Sequence, residues 1–444
     1  MNTKPNTMKT GKANGYNSIW FTLGQYLGDE FGDKYSGGLG TYTAKHVPLA
    51  VYAEAAGKTF FVYGGCIPGT RHLLAMVSYY DHDRHVVPRP TIVCDKGGVD
   101  DPHDNPSICI APDGHVWVFV SGRGQRRPGF RYRSCEPFCI DAFELIATEE
   151  FTYPQPWWIK GEGFLHLFTK YTGVRELYWS RSPDGRQWSA DRKLAGIEGH
   201  YQTSRQRGSR VVTAFNRHPE GHPDLRTDLY YLETTDLGES WQTADGAPIE
   251  PPLVEPHNAA LVREFDAEGR LVYMKDIDLD AEGNPVILVV TSRDHRSGPA
   301  GAPRIWTIAR WDGTSWRFRE VTRSTHNYDM GSLYIESADH WRIIAPTESG
   351  PQQWGTGGEM ALWVSDDGGD SWRLEREITR NSAINHTYAR RPVNAHPDFY
   401  AFWADGHPFE FSPSRLYFTN REGNAVWRLP EVMESELEEP ILEE

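Results

Sequence analysis

The chain contains no Cys-x-x-Cys pair, so nothing in it supports a zinc ribbon. Its five cysteines, Cys66, Cys94, Cys109, Cys135 and Cys139, are odd in number and irregularly spaced. That argues against a disulfide framework. A turn could bring Cys135 and Cys139 together, but partly buried free thiols are the simpler expectation. Apolar runs long enough to span a bilayer are missing, so no membrane partner is expected. Residues 1–14 are polar and lack the apolar core of a signal peptide. The expectation is a cytoplasmic protein, or one whose leader has been removed. Also missing is the basic stripe of a nucleic-acid binder: the formal net charge is −15, and nucleic acid is excluded as a partner.

What the chain has is aromatic residues and turn formers. Its 16 Trp, 21 Tyr and 19 Phe suit half-buried pleated strands, and its 42 Gly and 30 Pro punctuate turns. At 444 residues it can bury a large core without disulfide staples. A length prior would divide it into two or three domains, but one closed all-β ring can absorb the whole chain.

A motif recurs along it: a polar start that often carries His, a short apolar strand, a turn, then a second apolar strand. The clearest copy runs from His103 through Ile108 to the turn Pro112-Asp113-Gly114, and on through residues 116–120 to Ser121-Gly122. Other copies start at His46, near Tyr153, near His200, at His257-Asn258, at His326-Asn327-Tyr328 and at Asn385-His386. Spacings of roughly 45 to 70 residues fit four strands plus loops. Seven copies predict an all-β, seven-bladed β-propeller over residues 15–431. Residues 1–14 are expected to be disordered or artificial, and 432–444 to be a solvated acidic tail. Residues 19–23 are a candidate strand for completing the last blade.

Several copies are followed by a turn of one kind. Residues 234–241 (TTDLGESW) and 365–372 (SDDGGDSW) read S/T-x-D-x-G-x-x-W, residues 182–188 are a shortened version, and Asp312 to Trp316 a degenerate one. Asp accepts from nearby backbone donors, Gly supplies positive φ, and Trp fills the gap between strands. The turn resembles the Asp-box of the BNR-repeat propellers, which include sialidases. The box is structural and carries no chemistry. The arginine signature of sialidases, an FRIP-like segment, is absent.

Five of the 17 histidines, His46, His103, His257, His326 and His386, fall at the starts of repeats, where inner strands converge on a channel. The bland reading of each is a polar residue tying one blade to the next. The densest cluster is Asp100-Asp101-Pro102-His103-Asp104-Asn105, with His82 on the preceding blade as its candidate partner. Arg123, glycine-flanked at a strand end, is placed to contact a carboxylate. Arg217 holds the equivalent position two blades on, and Arg390 and Arg391 follow His386. Taken singly, each arginine is more simply a solvated charge. Together, cations and imidazoles suit an acidic sugar. No cofactor is required; the histidine-rich channel mouth is compatible with a metal ion, but no ligand spacing compels one.

Residues 15–24 and 32–42, the segments 326–329 and 331–334, and Asn385-His386 with residues 390–394 resemble BNR-type propellers that act on L-rhamnose-α-1,4-D-glucuronate caps of arabinogalactan and gum arabic. That group contains lyases and an unusual α-L-rhamnosidase; ulvan lyases are more distant relatives. The resemblance implies an acidic plant-type glycan as partner. For the lyases it implies a paired-histidine site, best matched by His103 and His82. For the rhamnosidase it implies a single histidine on the opposite face, best matched by His46. Arg123, Arg217, His326, His386 and Arg390 are the expected substrate-binding residues. In ulvan lyases a second histidine follows the His103 equivalent by about one strand pair, where this chain has Arg123. Elimination needs a carboxylate neutraliser, a base and an acid, and His serves as either of the last two. Ordinary glycosidases use two carboxylates, and no such pair stands among the repeat starts. The expectation is therefore a lyase, with an α-L-rhamnosidase or a non-catalytic glycan-binding propeller as alternatives.

Overall fold

The computed structural model describes residues 7–8, 11–20, 22–23, 31, 35–41 and 46–443. Among them the strands form seven antiparallel sheets of at least four strands each. The protein is a seven-bladed β-propeller. Its inner strands are Ala50–Ala53, Pro106–Ile110, Thr152–Ile159, Gln202–Arg207, Leu271–Leu279, Ser332–Ile335 and His386–Arg390. Each begins on what we term the upper face and runs to the lower face. Strands such as Val116–Val120 and Pro285–Ser292 are buried along their whole length, because neighbouring blades cover both sides of a sheet. Trp117, Trp179, Trp306, Trp341 and Trp403 are wholly enclosed.

Hydrogen bonds pass from blade to blade around the ring. Ile108 N donates to Pro48 O, Ser107 Oγ to Pro154 O, Gln155 Nε2 to Gln202 O and Asn216 Nδ2 to Val272 O. Lys275 Nζ donates to Asn327 O, Ser332 Oγ to Ala389 O, and Val393 N to Ala50 O. The last joins blade 7 to blade 1. Among the described residues neither main sheet takes a strand from the other at the seam, although Leu437–Glu438, just before the last strand of blade 7, pair with Val87–Pro88 of blade 1. Residues 16–19 lie across it instead: Ser18 N donates to Ser414 O and Ile19 N to Gly64 O. The expectation that residues 19–23 complete blade 7 is thus corrected, since Thr22–Leu23 pair with Tyr35–Ser36.

Two further expectations change. The fifth repeat does not start at His257: its inner strand opens at Leu271, and His257 is an exposed side chain beside Glu264. The insertion between blades 4 and 5 displaced the polar cue from the strand. Short stretches near both ends of the chain pair with the blades. Thr7–Met8 and Gly11–Lys12 add outer strands to blades 2 and 1. Leu437–Glu438 pair with Val87–Pro88, and Ile441–Leu442 extend blade 7. All five cysteines are free thiols.

The Asp-box turns form as the residues dictate, all on the lower face. Asp236 Oδ1 accepts from Ser240 N, and Asp367 Oδ1 from Ser371 N, both at 2.9 Å. Gly369, at φ +90°, lies so close to the Trp341 ring that a Cβ would fall 2.5 Å from it. In blade 1 the corresponding turn carries no box and holds Asp81-His82-Asp83.

The channel is closed by charge. Arg391 of blade 7 pairs with Asp276 and Asp278 on the inner strand of blade 5, and Arg205 and Arg207 of blade 4 approach Asp278 at 3.8 and 3.4 Å. Burial alone would raise the Asp278 carboxyl, but Arg391 and Arg205 hold it below its usual value. Removing one partner of a buried pair leaves the other uncompensated, at a cost of about 3–5 kcal/mol. Arg391→Ala is expected to lower the urea midpoint by that equivalent, whereas Arg380→Ala, at an exposed ion pair with Glu377, should shift it by less than about 0.5 kcal/mol.

Candidate functional site on the upper face

The site is built on the loop leading into blade 2. Pro102 fixes φ at the start of a single 3-10 turn, Pro102–Asp104, and Asp101 caps it by accepting from His103 N at 3.0 Å. The same carboxylate oxygen lies 2.5 Å from His103 Nδ1. Its other oxygen takes Arg123 Nη1 at 2.8 Å and Arg127 Nη2 at 2.7 Å. Arg127 also reaches Asp104 at 2.8 Å. The buried Asp104 is completed by Lys96 Nζ at 2.5 Å, which further donates to Ser121 O and Pro128 O. Three cations and two carboxylates thereby lock a six-residue loop to the loop between the second and third strands of blade 2.

This geometry sets the histidine's tautomer. Arg123 Nη1 is also 3.3 Å from His103 Nδ1, but one nitrogen cannot donate to a carboxylate and accept from a guanidinium. The shorter contact decides: Nδ1 carries a proton and donates it to Asp101. Burial would raise the Asp101 carboxyl, yet His103 and the two arginines hold it far below the usual range. It stays ionised and cannot draw the proton from the ring. Arg123 keeps 42% of its side chain exposed, so it can meet a ligand while anchored.

Across from this loop stands Tyr153, at the head of the inner strand of blade 3. Its ring centroid is 5.7 Å from that of His103 and 5.5 Å from that of His46. Tyr153 has φ +54° and sits where the strand register slips between Thr152 and Gln155. A bulky residue in the left-handed region costs roughly 1–3 kcal/mol and persists where the surroundings enforce it. The bulge turns the ring toward His103. Tyr171 lies beside Tyr153 and has Arg123 and Arg175 as charged neighbours. Tyr201 follows at 5.7 Å from Tyr153, with His218 at 4.5 Å from Tyr201.

The expected site residues separate. His103 and Arg123 are brought together, whereas His82 is not their partner. The registers Lys58↔Asp81 and Cys66↔Leu73 put His82 at the lower end of blade 1. A nine-residue strand, Lys58–Cys66, spans roughly 26 Å between the faces at ~3.3 Å per residue. His46 lies on the upper face beside His103, not on the opposite one, with Nε2 3.0 Å from His103 O. It is 0% exposed, and burial pushes its imidazole down to about 3, so it supports the loop as a neutral ring.

Arg217 pairs with Asp228, Glu198 and Asp266 at 2.9, 2.9 and 3.1 Å, so its charge is already neutralised. Arg390 is buried, donates Nε to Leu39 O at 3.0 Å, and loses basicity through burial to about 10. His326 is held between Ser297, Thr356 and the amide of Tyr328. His386 sits between Ser382 and Trp403, beside a separate cleft of about 700 Å³ on blade 7. The residues that the sequence reading missed are Tyr153, Tyr171, Arg127 and Lys96. Tyr153 marked a repeat start, which was the available signal.

Two tests follow from these contacts. Asp101→Asn should leave His103 in place but remove the charge that fixes its tautomer, lowering turnover ~10²-fold or more with little change in melting temperature. His46 and His200, both wholly buried, have folded-state values pushed down by burial to about 3 and about 4. Their unfolded value is ~6.5. A depressed folded value means stability is fully present above ~6.5 and is lost as pH falls toward the folded value. Denaturant midpoints measured from pH 7 to 4 should therefore fall by about 1.4 kcal/mol per pH unit for each ring, and His200→Gln should remove one share of that slope.

Comparison with known proteins agrees with this architecture. The chain is 23% identical over 338 residues to an ulvan lyase of Nonlabens ulvanivorans, covering 67% of this chain and 69% of that protein. It is 19% identical over 343 residues to an ulvan lyase of Alteromonas sp. (strain LOR), covering 68% and 69%. Among solved structures, an ulvan lyase from a new family of polysaccharide lyases superposes with a TM-score of 0.73 at 16% identity, covering 92% of this chain and 96% of that one. The same family bound to -[GlcA(1-4)Rha3S]- gives 0.72 at 15% identity, with the same coverage. Residues 75–324 match the BNR repeat-containing family, and with more than half its length so matched, the chain belongs to that family.

Proposed function

We propose that the protein is a polysaccharide lyase that removes terminal L-rhamnose from α-1,4-linked D-glucuronate by β-elimination. The observation that carries this reading is the Asp101–His103–Arg123 unit facing Tyr153. It sets an oriented imidazole, a half-exposed cation and a phenol ring side by side on the upper face. The names of the curated relatives, all lyases, and the glucuronate–rhamnose ligand of a solved one support it.

In the proposed reaction Arg123 pairs with the uronate carboxylate and stabilises the charge that develops when C5 loses its proton. His103 Nε2 takes that proton. The electron pair forms the C4–C5 double bond as the C4–O4 bond breaks. Tyr153 protonates the departing oxygen, giving free rhamnose and a 4,5-unsaturated uronate. This assignment gives Tyr153 the role first expected of His82.

Incubation with gum arabic should release free rhamnose together with rising ultraviolet absorbance from the unsaturated uronate. Rhamnose without absorbance would replace the lyase by an α-L-rhamnosidase, and binding without either product would leave a lectin. Arg123→Ala should reduce kcat/KM by ~10²–10³-fold. His103→Ala and Tyr153→Phe should each reduce kcat by ~10²–10⁴-fold with near-normal melting temperatures. Full activity in His103→Ala would remove it from the mechanism.

A further inference from the structure

On the lower face, away from the proposed active site, three side chains converge at the seam of the ring. His82 comes from the blade 1 turn that lacks an Asp-box. His396 and Asp398 come from the loop between the first two strands of blade 7. One ligand atom from each lies within 4.8 Å of the other two, and the two imidazole centroids are 3.8 Å apart. His82 is 9% exposed. Its Nε2 pairs with Thr59 Oγ1 at 2.8 Å, while its Nδ1 is buried with no hydrogen-bond partner among the described residues.

A buried ring nitrogen without a partner is costly. The cost disappears if that lone pair binds a cation, and the opposite nitrogen is then already held by an outer partner, as metal-binding histidines generally are. Two imidazoles in van der Waals contact cannot both be protonated cheaply, but both can face one metal. We infer that His82, His396 and Asp398 bind a single Zn²⁺ ion that clasps blade 1 to blade 7. Two imidazoles and a carboxylate suit zinc, with solvent as the fourth ligand. Tetrahedral bonds of ~2.0–2.2 Å bring ligand atoms to roughly 3.3–3.6 Å of each other. Asp398, with 52% of its side chain exposed, can move that far. The ion would compete with one existing contact, the 3.2 Å hydrogen bond from Asp398 N to His396 Nδ1, if it took that nitrogen.

The position gives the ion a purpose. The seam is held by the Val393–Ala50 hydrogen bond, by the pairing of Leu437–Glu438 with Val87–Pro88 and by stacking such as Phe61 on Phe399 at 5.8 Å. A metal bridging His82 to His396 adds a strong link there, and it binds only the closed ring, so it stabilises the folded state by mass action. Elimination chemistry plays no part in this inference.

The test is zinc titration of EDTA-stripped full-length protein by calorimetry, with elemental analysis of the dialysed product and melting curves with and without zinc. One Zn²⁺ per chain and a melting temperature raised by a few degrees are expected. His396→Gln and Asp398→Asn, both at accessible positions, should fold normally without zinc. Each should weaken zinc binding by more than the ~10–100-fold typical of losing an outer partner, and the thermal shift should vanish. Absence of stoichiometric zinc, undiminished binding by both variants, or a preference for Ca²⁺ or Mg²⁺ over Zn²⁺ would each overturn the assignment.

Discussion

The meeting of Arg391 with Asp276 and Asp278 in the channel is the contact on which the ring depends. Seven wedge-shaped sheets leave a narrow axis, and that axis must be either filled or wet. Here it is filled with ions from blades 4, 5 and 7. Apolar side chains could fill the same space with less desolvation cost. Paired charges add direction: each guanidinium accepts one arrangement of carboxylates, so the inner strands are fixed in register as well as in distance. Asp276 also accepts from Leu333 N at 2.9 Å, which ties blade 6 into the same cluster. The upper face inherits its rigidity from this axis.

Given such a scaffold, the site needs little further structure. A Pro-initiated turn presents His103, a carboxylate behind it fixes the tautomer, and a strained bulge one blade away supplies the phenol. Blade 2 contributes the loop and its arginines, and blade 3 contributes Tyr153 and Tyr171. The cluster lies between two consecutive blades and sets an imidazole beside a half-exposed cation. His46, excluded from water, serves the same arrangement from beneath by bonding the backbone of His103.

Much of the fold was legible in the sequence because its signals are local. Alternating apolar strands, turn glycines and the Asp-boxes each act within a few residues, and blades follow one another in chain order. The insertion before Leu271 was misread because a polar start and a strand were expected to be contiguous. Of the site, Asp101, His103 and Arg123 were legible, since one loop and one strand end carry them. His82 was misplaced for a geometric reason. Its strand runs from the upper to the lower face, and a residue after its last position emerges on the far side however near it stands in the chain. Tyr153 was visible only as a repeat start, because its positive φ and the strand bulge arise from packing between blades. The acidic tail is largely exposed, and two short pairings, invisible in composition, hold it to the ring.

Each blade is one continuous stretch of chain, and this order governs how the molecule can assemble. Nearly every strand pairs with its neighbour in sequence, so the contacts within a blade close short loops at small entropic cost. The proposed pocket, on blades 2 and 3, is made from adjacent stretches and needs no distant partner. Blades 1 and 7 are different: Val393 must find Ala50 across more than three hundred residues. Joining the two ends is therefore the most non-local contact that the ring requires.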